Sequence, residues 1–281
     1  MIREVRIDEV EEVAKYAYKL NCMPKHNCKS FSTEYEDILK SYKRDINVEN
    51  KYLLGYFIND KLEGVVSIGA EPDENYVQTG GGIFAENDYQ KISKEFYEWI
   101  KNNFKGYYFY MAYSQENLQA IEFSESQNLK CCSRAYFLRI KHEEFRPAKV
   151  NVQIEMLTEK YYDQFTELHD VIGEGAYWNS EKIISRNLFD VYLAIENDEV
   201  IGEFVVRKSL PEGEVYFLGV KEGISTNVLS DLIIYATKDR LSKGIETMAY
   251  VECNSIDELN AYFKLGYHIS ETSIGYEIDE L

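Results

Sequence analysis

No run of about 18 apolar residues occurs in this 281-residue chain, so the sequence offers no membrane-spanning helix. It lacks an apolar leader as well. Met1-Ile2-Arg3 runs straight into charged sequence, and the expectation is a soluble, cytoplasmic protein without a membrane partner. The five cysteines, Cys22, Cys28, Cys131, Cys132 and Cys253, are odd in number and irregularly spaced, which argues against a disulfide framework and for a reducing compartment. Closed zinc patterns are missing too. Cys22, His26 and Cys28 come nearest, but a site there needs a fourth donor from elsewhere, so they read as ordinary thiols and no metal is expected. Basic runs are absent, and with a formal charge of −18 nucleic acid is not an expected partner.

What the chain does carry is acid, and it carries it unevenly. Residues 1–145 hold 19 basic against 24 acidic side chains, and residues 146–281 hold 12 against 25. Such a second half repels polyanions and either steers cationic small molecules such as amines or is simply a solvated acidic surface. With 45% apolar and 14% aromatic residues, the chain can fill two cores of about 140 residues each. The 24 tyrosines serve mostly as packing, while their polar tips suit them to lining clefts.

One pattern is written twice. Asn59-Asp60 followed by Gly64 recurs 138 residues later as Asn197-Asp198 followed by Gly202, and Asn117 with Ala120 before Leu129 is echoed by Asn254 with Ala261 before Tyr267. A repeat of this length predicts one architecture used twice. The element order agrees. In the first half a strand at 2–7 precedes helical stripes at 10–17 and 33–44, then apolar runs at 52–58 and 62–68 flank the Asn-Asp hairpin signal. A strand at 76–84, a long helix ending near Gly106, a strand at 107–113, a short helix at 117–127 and a strand at 133–140 follow. Gly80-Gly81-Gly82 interrupts the 76–84 strand and marks a bulge or a close backbone approach.

The polar stretch from Lys141 to Pro147 breaks the pattern, so the expected domains are 1–145 and 146–281. The order then restarts with a strand at 152–156, helices at 161–172 and 180–187, and strands at 191–195 and 201–206 around the second hairpin. A strand at 214–220, a helix at 226–243, a strand at 247–252, a short helix at 257–264 and a strand at 273–278 complete it. Each half therefore reads as α+β: a mixed, mostly antiparallel sheet flanked by helices.

Asn254 followed by Ala261-Tyr262-Phe263-Lys264-Leu265-Gly266-Tyr267 resembles the closing motif of the GNAT superfamily of acyl-CoA N-acyltransferases. Ala176-Tyr177-Trp178-Asn179-Ser180-Glu181 is similar to the segment that borders the acceptor site in that family. The resemblance covers residues 150–281 well and the first half more weakly. It implies two tandem GNAT-like domains, each with a sheet that splays between its fourth and fifth strands, and acetyl-CoA as co-substrate.

By that resemblance the backbone of Phe217, Leu218 and Val220 holds the pantetheine arm, and the pyrophosphate sits at the helix start Gly223-Ile224-Ser225-Thr226-Asn227, where free amides and the helix dipole favour anions. The family's loop carries an Arg or Gln and spaced glycines. This one has Gly223 alone and no Arg, leaving Ser225, Thr226 and Asn227 to donate side-chain bonds or to cap the helix. Tyr262 is implied as the acid that protonates the leaving thiolate, and Asn254 as a hydrogen-bonding group at the end of a strand. The spacing from Asn254 to Tyr262 is eight residues where the family has seven. A carboxylate near the cleft would take the acceptor's proton; Glu203, Glu214 and Glu174 are candidates, with Glu203 placed first.

The first half departs further. It has Ser124 in the tyrosine's place, and its helix-start loop, Glu86 to Lys91, has no glycine. Two functions stay open: an N-acetyltransferase acting on the amine of a small molecule or peptide through its second half, or a catalytically inactive GNAT-like protein that binds a metabolite or a protein partner without turnover. An open gap before Tyr262 favours the first, and a gap filled by side chains favours the second. As a monomer the tandem serves as its own pseudo-dimer; a homodimer is the alternative.

Overall fold

The computed structural model describes residues 1–28, 31–209 and 212–281. The chain forms two compact units, one made of Met1–Arg134 with Thr272–Leu281 and the other of Ala135–Glu271.

The first unit begins with β1 (Ile2–Glu4), α1 (Val10–Asn21) and α2 (Tyr35–Asp45). β2 (Lys51–Ile58) and β3 (Lys61–Glu71) form a hairpin whose turn residues Asn59 and Asp60 both have positive φ, 48° and 63°. That left-handed pair matches the right-handed twist of the flanking strands, and Asn and Asp tolerate it. β4 (Tyr76–Ala85), α3 (Tyr89–Asn103), β5 (Tyr108–Ser114) and α4 (Leu118–Ser126) follow, and β6 (Lys130–Ile140) leads into the second unit. The second unit continues with β7 (Gln153–Met156), α5 (Tyr162–Ile172), α6 (Ser180–Arg186), β8 (Phe189–Glu196) and β9 (Glu199–Arg207). Its hairpin turn, Asn197 and Asp198, repeats the first at φ 51° and 63°. β10 (Glu212–Val220), α7 (Asn227–Ser242), β11 (Glu246–Glu252), α8 (Ile256–Lys264) and β12 (His268–Ile278) complete the chain.

The repeat is structural. β5, α4 and β6 recur as β11, α8 and β12 with the same 138-residue offset, and each hairpin has a register shift at the same place, between Tyr56 and Phe57 and between Ala194 and Ile195.

Within the first unit the hydrogen-bonded strand order is β1-β2-β3-β4-β5-β12, and within the second it is β6-β11-β10-β9-β8-β7. The closing strands are exchanged. β12 pairs with β5 over Ser273–Ile278, although it ends the second half of the sequence. β6 pairs with β11 over Ala135–Ile140, although it ends the first. The expected break at 145/146 therefore falls inside the second unit, and the expected second domain gives its last ten residues to the first. The reason is that strand periodicity fixes which face is buried but not which sheet edge a strand joins.

All pairings within a unit are antiparallel except β4 with β5 and β10 with β11. Along β4 the register shifts beside Gly80-Gly81-Gly82, and Gly81 and Gly82 take φ of 103° and 133°. A Cβ on Gly81 would collide with the Phe31 ring, and one on Gly82 with Cys28 and Tyr113. The glycine run is thus both a bulge and a close approach.

The core of the first unit is one cluster. In the second unit two clusters occupy the two faces of the sheet: Phe204, Val206, Ala249, Val251, Leu232 and Leu259 pack with α7 and α8 on one side. Phe165, Leu168, Val191, Leu193 and Val205 pack with α5 and α6 on the other. Alternation along β9 does this, since successive side chains of a strand leave on opposite faces. Among the described residues no helix is long and apolar enough to cross a membrane, no group of three or more His, Cys, Asp or Glu side chains is placed to hold a metal, and none of the five cysteines forms a disulfide.

Candidate functional site

In the second unit, β10 and β11 run parallel in register only from Glu212/Glu246 to Val215/Ala249. There they part. A register shift at Val215/Phe217 bends β10, which stays paired with β9 through Val220/Gly202, while β11 stays paired with β6 through Glu252/Ala135. A bulge is the usual device for such a change of direction. Phe217, Leu218 and Val220 lie on the stretch that has lost its β11 neighbour, and all three are half-buried. β4 and β5 part in the same way after Gln78/Tyr110.

β10 runs into the loop that starts α7. Gly223 sits at φ 83°, with open space where a Cβ would be, so the backbone there is accessible. Ser225 Oγ accepts from the Asn227 amide at 3.3 Å, and Thr226 occupies the N-cap without a side-chain cap bond. Val228 and Leu229 donate to the Ser225 and Thr226 carbonyls. The amides of Ser225 and Thr226 donate to no protein acceptor among the described residues, as an anion site requires. A cleft of ≈ 850 Å³ opens beside this loop, lined by Gly223, Ser225 and Asn227, by Asp231 and Ile234 of α7, and by Lys149 and Lys264. Both lysines are exposed, and neither has an ion-pair partner among the described residues.

Tyr262 lies on α8, 0% exposed, with its ring edge-on to Tyr267 at 4.8 Å. Its hydroxyl is buried and has no hydrogen-bond partner among the described residues. Burial, then the charge of Glu258 and the Tyr267 phenol, push its pKa well above the usual tyrosine range. It therefore does not face an open gap. Asn254 is exposed in the turn after β11. The helix N-cap is Ser255, seven residues before Tyr262, which accounts for the eight-residue spacing from Asn254. The corresponding N-cap of α4 is Asn117, whose side chain accepts from the Ala120 amide.

Of the three candidate carboxylates, Glu174 is exposed and Glu214 half-buried. Glu203 is 0% exposed. Its Oε1 lies 2.8 Å from His169 Nδ1, and its Oε2 is buried without a partner among the described residues. His169, also 0% exposed, sits on α5 between the rings of Phe165 and Phe217. Its Nε2 donates to the Trp178 carbonyl at 2.9 Å. With Nε2 committed as a donor, one proton lies between Nδ1 and Oε1. Burial raises the Glu203 pKa against the bond and charge of His169. Burial also disfavours imidazolium, yet the bond to Glu203, its charge and the Trp178 carbonyl outweigh that and leave the His169 pKa raised. Together with the Ser180 amide, which donates to Asp170 Oδ1 at 3.2 Å, the His169 bond pins the segment from Gly173 to Asn179.

Sequence reasoning missed His169, Ser255, Glu258, Lys149 and Lys264. His169 continues the Phe165–Leu168 stripe and carries no local signal. Ser255-x-x-Glu258 matches a capping box. The two lysines reach the cleft from outside the loop where a cation was sought.

The first unit closes the equivalent places with its own side chains. The Glu86 amide donates to Tyr16 Oη at 3.0 Å, and Tyr16 donates to the Glu63 carbonyl. The Glu86 carboxylate is held by Lys19 at 2.9 Å. Ser124, in the place of Tyr262, donates to the Ala120 carbonyl at 2.8 Å.

No protein-family model and no curated protein matches the sequence. Solved structures do match the fold. A GCN5-related N-acetyltransferase from Sphaerobacter thermophilus aligns over 100% of this chain and 96% of its own, with TM-score 0.75 and 9% identity. A tandem GNAT protein from the clavulanic acid biosynthesis pathway aligns over 99% and 98%, with TM-score 0.61 and 9% identity. A GNAT-family acetyltransferase from Colwellia psychrerythraea aligns over 99% of both chains, with TM-score 0.59 and 11% identity. With sheets that part between their fourth and fifth strands in both units, the chain has the fold of the GNAT superfamily, repeated in tandem.

Proposed function

We propose that the protein is an N-acyltransferase that moves an acetyl group from acetyl-CoA to the amine of a small molecule or peptide, with the second unit as the active one. The observation that supports this is the parting of β10 and β11 after Val215/Ala249, with Glu203 opposite Gly219 on the freed stretch of β10 and its Oε2 buried without a partner among the described residues, as is the Tyr262 hydroxyl on α8. A buried polar atom without a partner costs free energy.

In this reading the pantetheine arm lies along Phe217, Leu218 and Val220, and the pyrophosphate on the amides of Ser225 and Thr226 beside Gly223 and Asn227. Lys149 and Lys264 supply the positive charge that the loop lacks. Glu203 Oε2 accepts the proton of the acceptor ammonium, with His169 holding the other carboxylate oxygen. Tyr262 donates its proton to the leaving thiolate. Much of the acceleration then comes from holding amine and thioester together and from donors to the developing oxyanion. Asn254, exposed in its turn, supports the strand end and is not assigned to the pantetheine. Oligomeric state, monomer or homodimer, does not enter this chemistry.

One observation favours a second reading, a catalytically inactive GNAT-like protein that binds a metabolite or a protein partner without turnover: Tyr262 is fully buried. Calorimetric titration with acetyl-CoA, beside a Gly223→Trp variant, tests the cofactor site. Saturable binding that the variant loses supports the acyltransferase and justifies an amine screen. No binding at millimolar acetyl-CoA removes it.

A further inference from the structure

Residues 146–281 hold only 12 basic side chains, yet three of them, Lys182, Arg186 and Arg207, gather on one aromatic group of the second unit. Lys182 Nζ stands 3.7 Å from the centre of the Tyr177 ring and donates to the Tyr177 carbonyl at 2.9 Å. Arg186 Cζ lies 5.3 Å from the centre of the Trp178 ring, and its Nη1 donates to the Tyr177 hydroxyl at 3.5 Å. At the end of β9, Arg207 Nη1 donates to the Tyr216 hydroxyl at 3.2 Å. The rings meet edge-on, Tyr177 with Trp178 at 5.2 Å and Trp178 with Tyr216 at 6.4 Å between centres.

None of the three cations is paired with a carboxylate among the described residues; they bond a carbonyl and two phenols. Asp190, on neighbouring β8, is held by Arg240 and Lys208 instead. Like charges repel, so gathering them without a counter-charge in an acid-rich half is unfavourable until an anion arrives. A guanidinium held against a ring keeps N–H groups free, and its planar fork matches a carboxylate.

The aromatic group is also tied to Glu203. The Trp178 carbonyl accepts from His169 Nε2, and His169 Nδ1 lies 2.8 Å from Glu203 Oε1. Glu203, Val205 and Arg207 alternate along β9 and leave on one face, the face on which Val205 packs in the cluster that Trp178 and Tyr216 border. Four residues of strand separate Glu203 from Arg207 by about 13 Å.

We propose that the acceptor is an amine that also carries a carboxylate, and that Arg186 and Arg207 recognise that carboxylate; naming it an acceptor rests on the acyltransferase reading above. Its ammonium end goes to Glu203 and its carboxylate to the two guanidiniums, with Lys182 adding positive charge. The span between those ends calls for several bonds between amine and carboxylate, as in an ω-amino acid. Such a zwitterion has no net charge, so the excess acid of this half does not repel it as it repels a phosphate dianion.

The test compares two matched probes, ω-aminohexanoate and hexylamine, on full-length protein with acetyl-CoA. The wild type should acetylate the amino acid with kcat/KM at least about tenfold above the alkylamine, the size expected of a charge-assisted bond. That ratio should fall toward one in Arg207→Gln and in Arg186→Gln, and Arg207→Lys should restore part of it. Damage to the fold or to the chemistry lowers both rates and leaves the ratio, so the ratio isolates recognition. A wild-type ratio near one, or one that neither substitution moves, overturns the proposal and leaves the acyltransferase reading standing. A higher kcat/KM for the aminoalkyl phosphate of equal length overturns the carboxylate assignment. No transfer to either probe while acetyl-CoA still binds counts against the acyltransferase reading. Calorimetric binding of ω-aminohexanoate, lost in Arg207→Gln, then keeps the carboxylate site, and no binding overturns it.

Discussion

Replacing Tyr262 by Phe separates chemistry from packing. The hydroxyl it removes has no partner among the described residues, and an unsatisfied buried polar group costs about 1–3 kcal/mol, so Tyr262→Phe should melt at or above the wild-type temperature. If Tyr262 is the acid, turnover should fall by about 10²–10⁴-fold with acetyl-CoA affinity unchanged. Thermal melts, calorimetry and a CoA-release assay read the three quantities; full activity in the variant would remove Tyr262 from the mechanism. The Glu203–His169 pair makes a separate prediction, about pH. Both folded-state pKa values are raised, so the native state holds their proton more tightly than the unfolded chain does. The resulting stability is fully present at low pH and is lost as pH rises through the raised values. For His169 the decline begins above its ordinary value of about 6.5. Urea unfolding of the second unit from pH 6 to 9 should show falling stability in the wild type and a flatter profile in His169→Gln.

The two Asn-Asp hairpins set the repeat in place, and their turns have to be left-handed. Replacing Asn197 and Asp198 by Ala leaves the same φ of 51° and 63° to residues that pay about 1–2 kcal/mol each for it. The expected result is a urea midpoint lowered accordingly, with the fold kept; an unchanged midpoint would mean that the turn relaxes to another type. These turns were legible in the sequence because Asn-Asp between apolar runs has one local meaning. The helices and most strand ends were legible for the same reason, and Gly80-Gly81-Gly82 showed its bulge because only glycine fits under Phe31 and Cys28. The site was less legible. Tyr262 and Glu203 could be named from a motif and a hairpin position, but His169 meets Glu203 only through the packing of α5 on β9. Ser255, not Asn254, stands seven residues before Tyr262 at the N-cap of α8, a shift of one residue that a motif cannot resolve. The cations of the cleft come from Lys149 and Lys264, far from the loop in sequence, so reading the loop alone found none.

The acidic bias and the exchanged strands belong to the chain as a whole. If the charge of the second half steers amine acceptors, kcat/KM for a doubly charged amine should fall more steeply with added salt than for a singly charged one, because screening acts on each charge; parallel slopes would leave the acid as a solubilising surface. The exchange predicts where truncation is felt. Removing Thr272–Leu281 takes β12 from beside β5, so hydrogen exchange should lose protection first in Tyr108–Ser114 and not in β8 or β9. Protection lost evenly across both units would contradict that. Nothing local in β6 or β12 announced the exchange, since either strand fits either sheet by pattern.

The same exchange orders the birth of the protein. The second unit draws all its strands from one unbroken stretch, 135–271, and can close as soon as that stretch is translated. The first unit, whose opening residues are made earliest, waits for 272–281. At roughly 5–20 residues per second, β5 stands without its outer neighbour for something like 7–30 s, carrying Phe109, Met111 and Tyr113, all buried in the finished molecule. An unpaired strand of that composition is a template for wrong partners. The half that a ribosome makes first is therefore the half whose sheet is completed last.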